Sequence, residues 1–143
     1  VTVKAILSQK GTDVATIAPT ATVAEAAKLL ADRKIGALVI TGAGGRITGI
    51  VSERDIVREL ADRGAETLQL PLTELMTRKV VTCAPGDTVA HVMERMTAGK
   101  FRHLPVIEGE RLAGIVSIGD VVKLRLADLE REQNALRDYI QTA

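Results

Sequence analysis

The chain repeats itself. Residues 14 to 38 align without a gap on residues 80 to 104, and nine of these 25 positions are identical, including Thr16/Thr82, Ala18/Ala84, Pro19/Pro85, Lys34/Lys100 and Leu38/Leu104. After a one-residue difference in a Gly-rich stretch, Gly49-Ile-Val-Ser-Glu-Arg-Asp55 falls on Gly114-Ile-Val-Ser-Ile-Gly-Asp120. A tandem duplication restricts the fold to two small equivalent units. Each is near the lower limit for burying a core alone, so their sheets are expected to pack against each other.

Both copies read alike. An extended segment ends at Pro19 or Pro85, because the residue before proline is kept out of the α region. A helix then starts at Thr22 or Thr88, with Glu25 placed to complete a capping box in the first copy. Val23, Ala26, Ala27 and Leu30 mark its apolar face, as Val89, Val92, Met93 and Met96 do in the second copy. Two apolar runs around a turn follow, Ala37–Ile40 with Ile47–Val51 and Leu104–Ile107 with Leu112–Val116, each pair predicting an antiparallel hairpin. A second helix follows each hairpin, and a one-turn helical element (Val3 to Leu7, Leu72 to Met76) precedes each copy. The expected fold is α/β, in its α+β form: two β-α-β-β-α units over residues 1–67 and 68–125, and a helical extension over 126–143.

Composition removes several functions. Lys and Arg number 19 against 18 Asp and Glu, and the sequence has no Trp, one Phe and one Tyr. Neither half is a basic surface for nucleic acid, and no aromatic platform exists for stacking bases. One Cys and two His make neither a disulfide framework nor a zinc site, so the reducing cytoplasm is the expected compartment. The N-terminus lacks a signal-peptide layout and no apolar stretch is long enough to span a bilayer. No Ser, Cys or Asp has a His base at a recognisable spacing, so no catalytic residue is assigned and the chain is read as a non-enzyme.

The motif Gly-Ile-Val-Ser-x-x-Asp occurs at a strand end opening into a helix, twice. Glycine would keep the strand surface low for a flat ligand. Ser52 or Ser117 sits where free N–H groups and the helix dipole favour anionic oxygens. Asp55 or Asp120, one turn in, suits two hydroxyls of a ribose. The alternative is plain capping, since Ser-x-x-Asp at a helix start satisfies backbone donors by itself.

Taken in order, Val14–Pro19, Gly49–Asp55, Val80–Pro85, Arg102-His-Leu-Pro-Val106 and Gly114–Asp120 make the chain, from about residue 3 to 125, resemble a tandem pair of cystathionine-β-synthase (CBS) domains. The resemblance implies a pseudo-two-fold arrangement of the two repeats. It also implies a regulatory module that binds an adenine nucleotide or related adenosine ligand in clefts between them: AMP first, with NAD, ADP, ATP or S-adenosylmethionine as the others. It places Asp55 and Asp120 on the ribose, Ser52 and Ser117 near ribose or phosphate, and the backbone of Thr16, Ile17, Ala18, Thr82, Cys83 and Ala84 on adenine. Gly36, Ala37, Pro105 and Ile115 complete the expected surroundings.

The copies differ where cations could reach phosphate. The first has Arg54 inside the motif and the second has Arg102-His103 before its strand; with Lys34 and Lys100 these are the phosphate candidates. His103 reads equally as a structural residue, and His91 as solvated. Cys83 stands opposite Ile17 in the repeat and reads as a small buried side chain.

Along the last helix Val122, Leu126, Leu129, Gln133, Leu136 and Ile140 recur in steps of four and three. Such a seam serves packing on the helix's own domain or, the preferred reading, contact in a homodimer. An unidentified protein partner is expected to read the ligand-bound state.

Overall fold

The computed structural model describes residues 1–142. Its elements are α1 (Val3–Lys10), β1 (Thr16–Ile17), α2 (Val23–Arg33), β2 (Ala37–Thr41), β3 (Ile47–Ser52), α3 (Glu53–Arg63), α4 (Val89–Gly99), β4 (His103–Glu108), β5 (Arg111–Ser117) and α5 (Ile118–Thr142). Two compact units form: residues Val14–Val80 make one, and Val1–Asp13 with Val81 onward make the other.

In the 14–80 unit, β1 runs parallel to β2, which pairs antiparallel with β3. Thr22 caps α2 through its hydroxyl, which accepts from the Glu25 N–H at 3.2 Å. That is half of the expected box; the closed box forms at Ser52 instead. The core gathers Val23, Ala26 and Leu30 of α2, Leu38, Ile40 and Val51 of the strands, and Ile56 of α3. Leu72 and Met76 join them from the segment after α3.

The other unit repeats this plan with a thinner sheet. β4 and β5 form an antiparallel hairpin, and the first strand shrinks to one parallel bridge, Cys83 to Val106. Val89, Val92 and Met96 of α4 pack with Leu104, Val106 and Val116, and with Val121 and Leu124 of α5. Val3, Ile6 and Leu7 of α1 complete this core.

The leading segments are thus exchanged. Sequence order puts Val3–Leu7 before the first copy and Leu72–Met76 before the second, yet each packs on the other copy. The backbone bonds match: Val3 N–H donates to Asp87 O and Val89 N–H to Val1 O, as Leu72 N–H donates to Ala21 O and Val23 N–H to Leu70 O. Repeat boundaries at 67/68 therefore follow the sequence period, whereas packing boundaries fall near residues 13/14 and 80/81. The extension expected over 126–143 is continuous with α5 through Thr142, and Ala143 lies outside the described residues.

Exchange explains two glycines. A Cβ on Gly49 would come within 2.8 Å of Met76 Sδ and 2.9 Å of the Thr77 carbonyl oxygen, and one on Gly114 within 2.6 Å of a Leu7 methyl. The motif glycines make room for the exchanged segments. The expectation that they clear a surface for a flat ligand is corrected accordingly.

Candidate ligand-binding site

Ala37 pairs with Ser52 across β2 and β3, and the Glu53 N–H donates to Gly36 O at 2.9 Å. The mouth of the hairpin thereby brings Gly36, Ala37, Ser52 and Asp55 together. Thr16 and Ile17 lie along the far side of β2, opposite Val39 and Ile40; Thr16 and Ala18 are exposed and Ile17 is half-buried. Arg54 is exposed on α3.

The Ser52–Asp55 pair closes on itself. Asp55 Oδ2 accepts from Ser52 N–H at 2.9 Å and from the Ser52 hydroxyl at 3.1 Å, while Ser52 Oγ accepts from Asp55 N–H at 3.3 Å. Both bonds to the carboxylate use the same oxygen, Oδ2. Capping is therefore real here, and it consumes half of the carboxylate.

The second copy is built alike and then modified. His103 pairs with Ser117, Pro105 with Ile115, and Ile118 N–H donates to Arg102 O at 2.7 Å. Cys83 N–H donates to Pro105 O and its carbonyl accepts from Ile107 N–H, which seats Thr82–Ala84 beside β4. Asp120 Oδ2 accepts from Ser117 N–H at 2.9 Å, and Ser117 Oγ accepts from Asp120 N–H at 3.1 Å. Lys10 then reaches in: its ammonium donates to Asp120 Oδ2 at 2.7 Å and to the Ile115 carbonyl at 3.0 Å. Burial pushes the Asp120 carboxyl up, but the hydrogen bonds from Lys10 and Ser117 and the lysine charge outweigh it, holding the group below its ordinary 3.8.

The sequence reading missed Lys10. Nothing in the sequence marks it, and the structural reason is a difference between the copies: Ile115 is the counterpart of Ile50, whose carbonyl accepts the backbone N–H of Thr77 at 2.9 Å. Where that segment satisfies the strand with backbone, α1 stays helical to Lys10 and satisfies it with an ammonium.

The lysines expected at phosphate both stand at helix ends where the backbone conformation favours glycine. Lys34 and Lys100 both terminate helices in the left-handed conformation, at φ 56° and 60°. Lys34 and Gly36 also line a concavity of about 440 Å³ between α2 and α3, with Ala27, Ile35, Glu53 and Val57. Cys83 is buried, and desolvation with the nearby Asp87 charge, only partly opposed by Arg95, pushes its thiol up to about 11. Among the described residues no cluster of His, Cys, Asp and Glu could hold a metal ion, and no helix is long and apolar enough to cross a membrane.

Comparison with known proteins agrees with this architecture. The CBS domain model matches residues 3–62 and 72–127. The chain is 35% identical over 124 residues to the mitochondrial CBS domain-containing protein CBSX3 of Arabidopsis thaliana, covering 84% of this chain and 60% of that relative's length. A crystal structure of a CBS-domain-containing protein from Agrobacterium tumefaciens superposes with a TM-score of 0.84 at 50% identity, covering 87% of this chain and 92% of the other. The CBS domain pair of protein MJ0100, solved in complex with 5′-methylthioadenosine and S-adenosyl-L-methionine, superposes with a TM-score of 0.79 at 29% identity, covering 90% and 98%.

Proposed function

This chain belongs to the CBS domain family, carrying two of its domains in tandem, and we propose that it is a non-catalytic regulatory module that binds an adenosine-containing ligand at its Ser-x-x-Asp strand ends. The observation that carries the reading is the twice-built junction, where a carboxylate is oriented at a helix N-terminus by a capping serine. At Asp55 the cap engages only Oδ2, which leaves Oδ1 to accept ribose hydroxyls beside a helix N-terminus whose dipole favours a phosphate. A structurally similar CBS pair solved with two adenosine compounds supports the ligand class, within which AMP is the first choice and NAD, ADP, ATP and S-adenosylmethionine the others.

Lys10 makes the two copies unequal. Asp120 is already engaged by an ammonium, so the Asp55 site is the one expected to fill first. Ligand binding would favour one conformation of the module, and a protein partner, in the cytoplasm, would respond to it by linkage. Self-association through α5 belongs to the same reading.

Calorimetric titration of AMP, ATP, NAD and S-adenosylmethionine tests this directly. Binding tighter than about millimolar, roughly −4 kcal/mol, that is lost in Asp55→Ala and weakened less in Asp120→Ala, is expected. No binding by any of the four, or binding indifferent to Asp55→Ala, overturns it. The closed capping box at both sites favours a second, purely structural reading. It predicts that Asp55→Ala lowers the melting temperature while no nucleotide raises that of the unsubstituted protein.

A further inference from the structure

We infer that the projecting part of α5 pairs with the same helix of a second copy as a parallel, in-register, two-stranded coiled coil. This deepens the self-association reading above and does not depend on any ligand.

The helix outruns its fold. Val121 and Leu124 are its buried residues, and every described position from Leu129 onward is exposed. A solvated helical segment of this length is marginal in water by propensity alone. Its apolar side chains are not scattered: Leu126, Leu129, Leu136 and Ile140 are 56%, 43%, 60% and 66% exposed and lie on one seam with Val122. Assigned as a heptad, Leu126, Gln133 and Ile140 occupy a positions and Val122, Leu129 and Leu136 occupy d positions.

The flanking charges choose both occupant and direction. In a parallel in-register pair, each g residue faces the e residue five positions on in the other helix. Arg125 then meets Glu130 of the second copy, and Glu132 meets Arg137 of the second copy, each contact occurring twice by symmetry. Arg125 has only a loose contact with Asp128 on its own helix, at 3.8 Å, so its guanidinium remains able to reach across. The same seam paired antiparallel with full overlap would set Glu130 against Glu130, Glu132 against Glu132 and Lys123 against Arg137. Sliding the antiparallel pair by one heptad relieves the repulsion but leaves part of the apolar seam uncovered. It also sets the Gln133 amide against Val122 or Leu136, where nothing satisfies it. Only the parallel in-register pair places the two Gln133 amides together, where each donates to the other and a shift of register is penalised.

The full chain, without ligand, tests this by sedimentation equilibrium and mild oxidation. A dimer is expected, with Leu136→Lys shifting it to monomer while the melting of the globular part is retained. Glu130→Gln and Arg137→Gln should each weaken association about threefold to tenfold, since each removes two cross-helix pairs. Ile140→Cys should form a covalent dimer on oxidation, because parallel pairing puts the two residues 140 side by side and antiparallel pairing puts them at opposite ends. A chain that stays monomeric at high micromolar concentration overturns the proposal, whether the seam is then free, folded back, or taken by a different protein. A dimer that survives Leu136→Lys, or in which Ile140→Cys fails to cross-link, overturns it as well.

Discussion

Lys10 and Asp120, 110 residues apart in sequence, meet at 2.7 Å between ammonium and carboxylate. The contact ties the first helix of the chain to the start of the last. It also sits on the residue that the repeat equates with Asp55, so one of two equivalent acids carries a resident cation.

The pair should contribute modestly and with a defined pH dependence. Both side chains are partly exposed, so Lys10→Met is expected to cost about 0.5–1 kcal/mol, including the hydrogen bond lost at Ile115 O. Because the folded Asp120 carboxyl is held below its ordinary 3.8, the contribution is fully present above that value and fades as pH falls through the lower folded value. Urea unfolding of wild type and Lys10→Met at neutral pH and at about pH 3 checks this; a difference that grows on acidification contradicts the assignment.

Gly49→Ala and Gly114→Ala should differ in severity. The new methyl at 49 meets the Thr77 carbonyl oxygen, a backbone atom that is itself paired with Ile50, whereas the methyl at 114 meets the end of a leucine side chain. We expect about 2–3 kcal/mol for the first and about 1 kcal/mol for the second, measured by denaturant unfolding. Equal effects would mean that the exchanged segments yield equally.

Lys34→Gly and Lys100→Gly should stabilise the fold. Both positions hold a left-handed backbone conformation that glycine adopts without the Cβ penalty, which is about 1 kcal/mol. If the lysines also serve phosphate, the same variants gain thermal stability and lose nucleotide affinity, two readouts that move in opposite directions.

Cys83 should be silent in the native protein. Its thiol is buried and pushed up to about 11, so at pH 8 the thiolate that reacts is scarce. Iodoacetamide labelling is expected only after unfolding; rapid native labelling would show that β4 opens locally.

Much of this was readable from the sequence, because duplication supplies a second witness for each element. The helices behind Thr22 and Thr88, both hairpins and the paired Ser-x-x-Asp junctions follow from local rules of capping and periodicity. The exchange of leading segments was not readable, since nothing in Val3–Leu7 or Leu72–Met76 distinguishes its own copy from the other. The glycine misreading has the same origin: Gly49 and Gly114 face chain that arrives from far away in sequence. Lys10 likewise announces nothing locally, and its role rests on a carbonyl left open where α1 replaces an extended backbone. At the motif itself, the duplication tips the sequence reading from capping toward a ligand, and the structure shows the cap taking one carboxylate oxygen of Asp55.

The packing exchange also sets an order of assembly during synthesis. Residues Val14–Val80 contain every part of their own unit, so that unit is complete once residue 80 has left the ribosome. Helix α1 is made before it, but its place is against β5 and α5, which are made after it. Val3, Ile6 and Leu7 must therefore wait, unburied, through the production of most of the chain. A helix made before the 14–80 unit is thus placed only after that unit is complete.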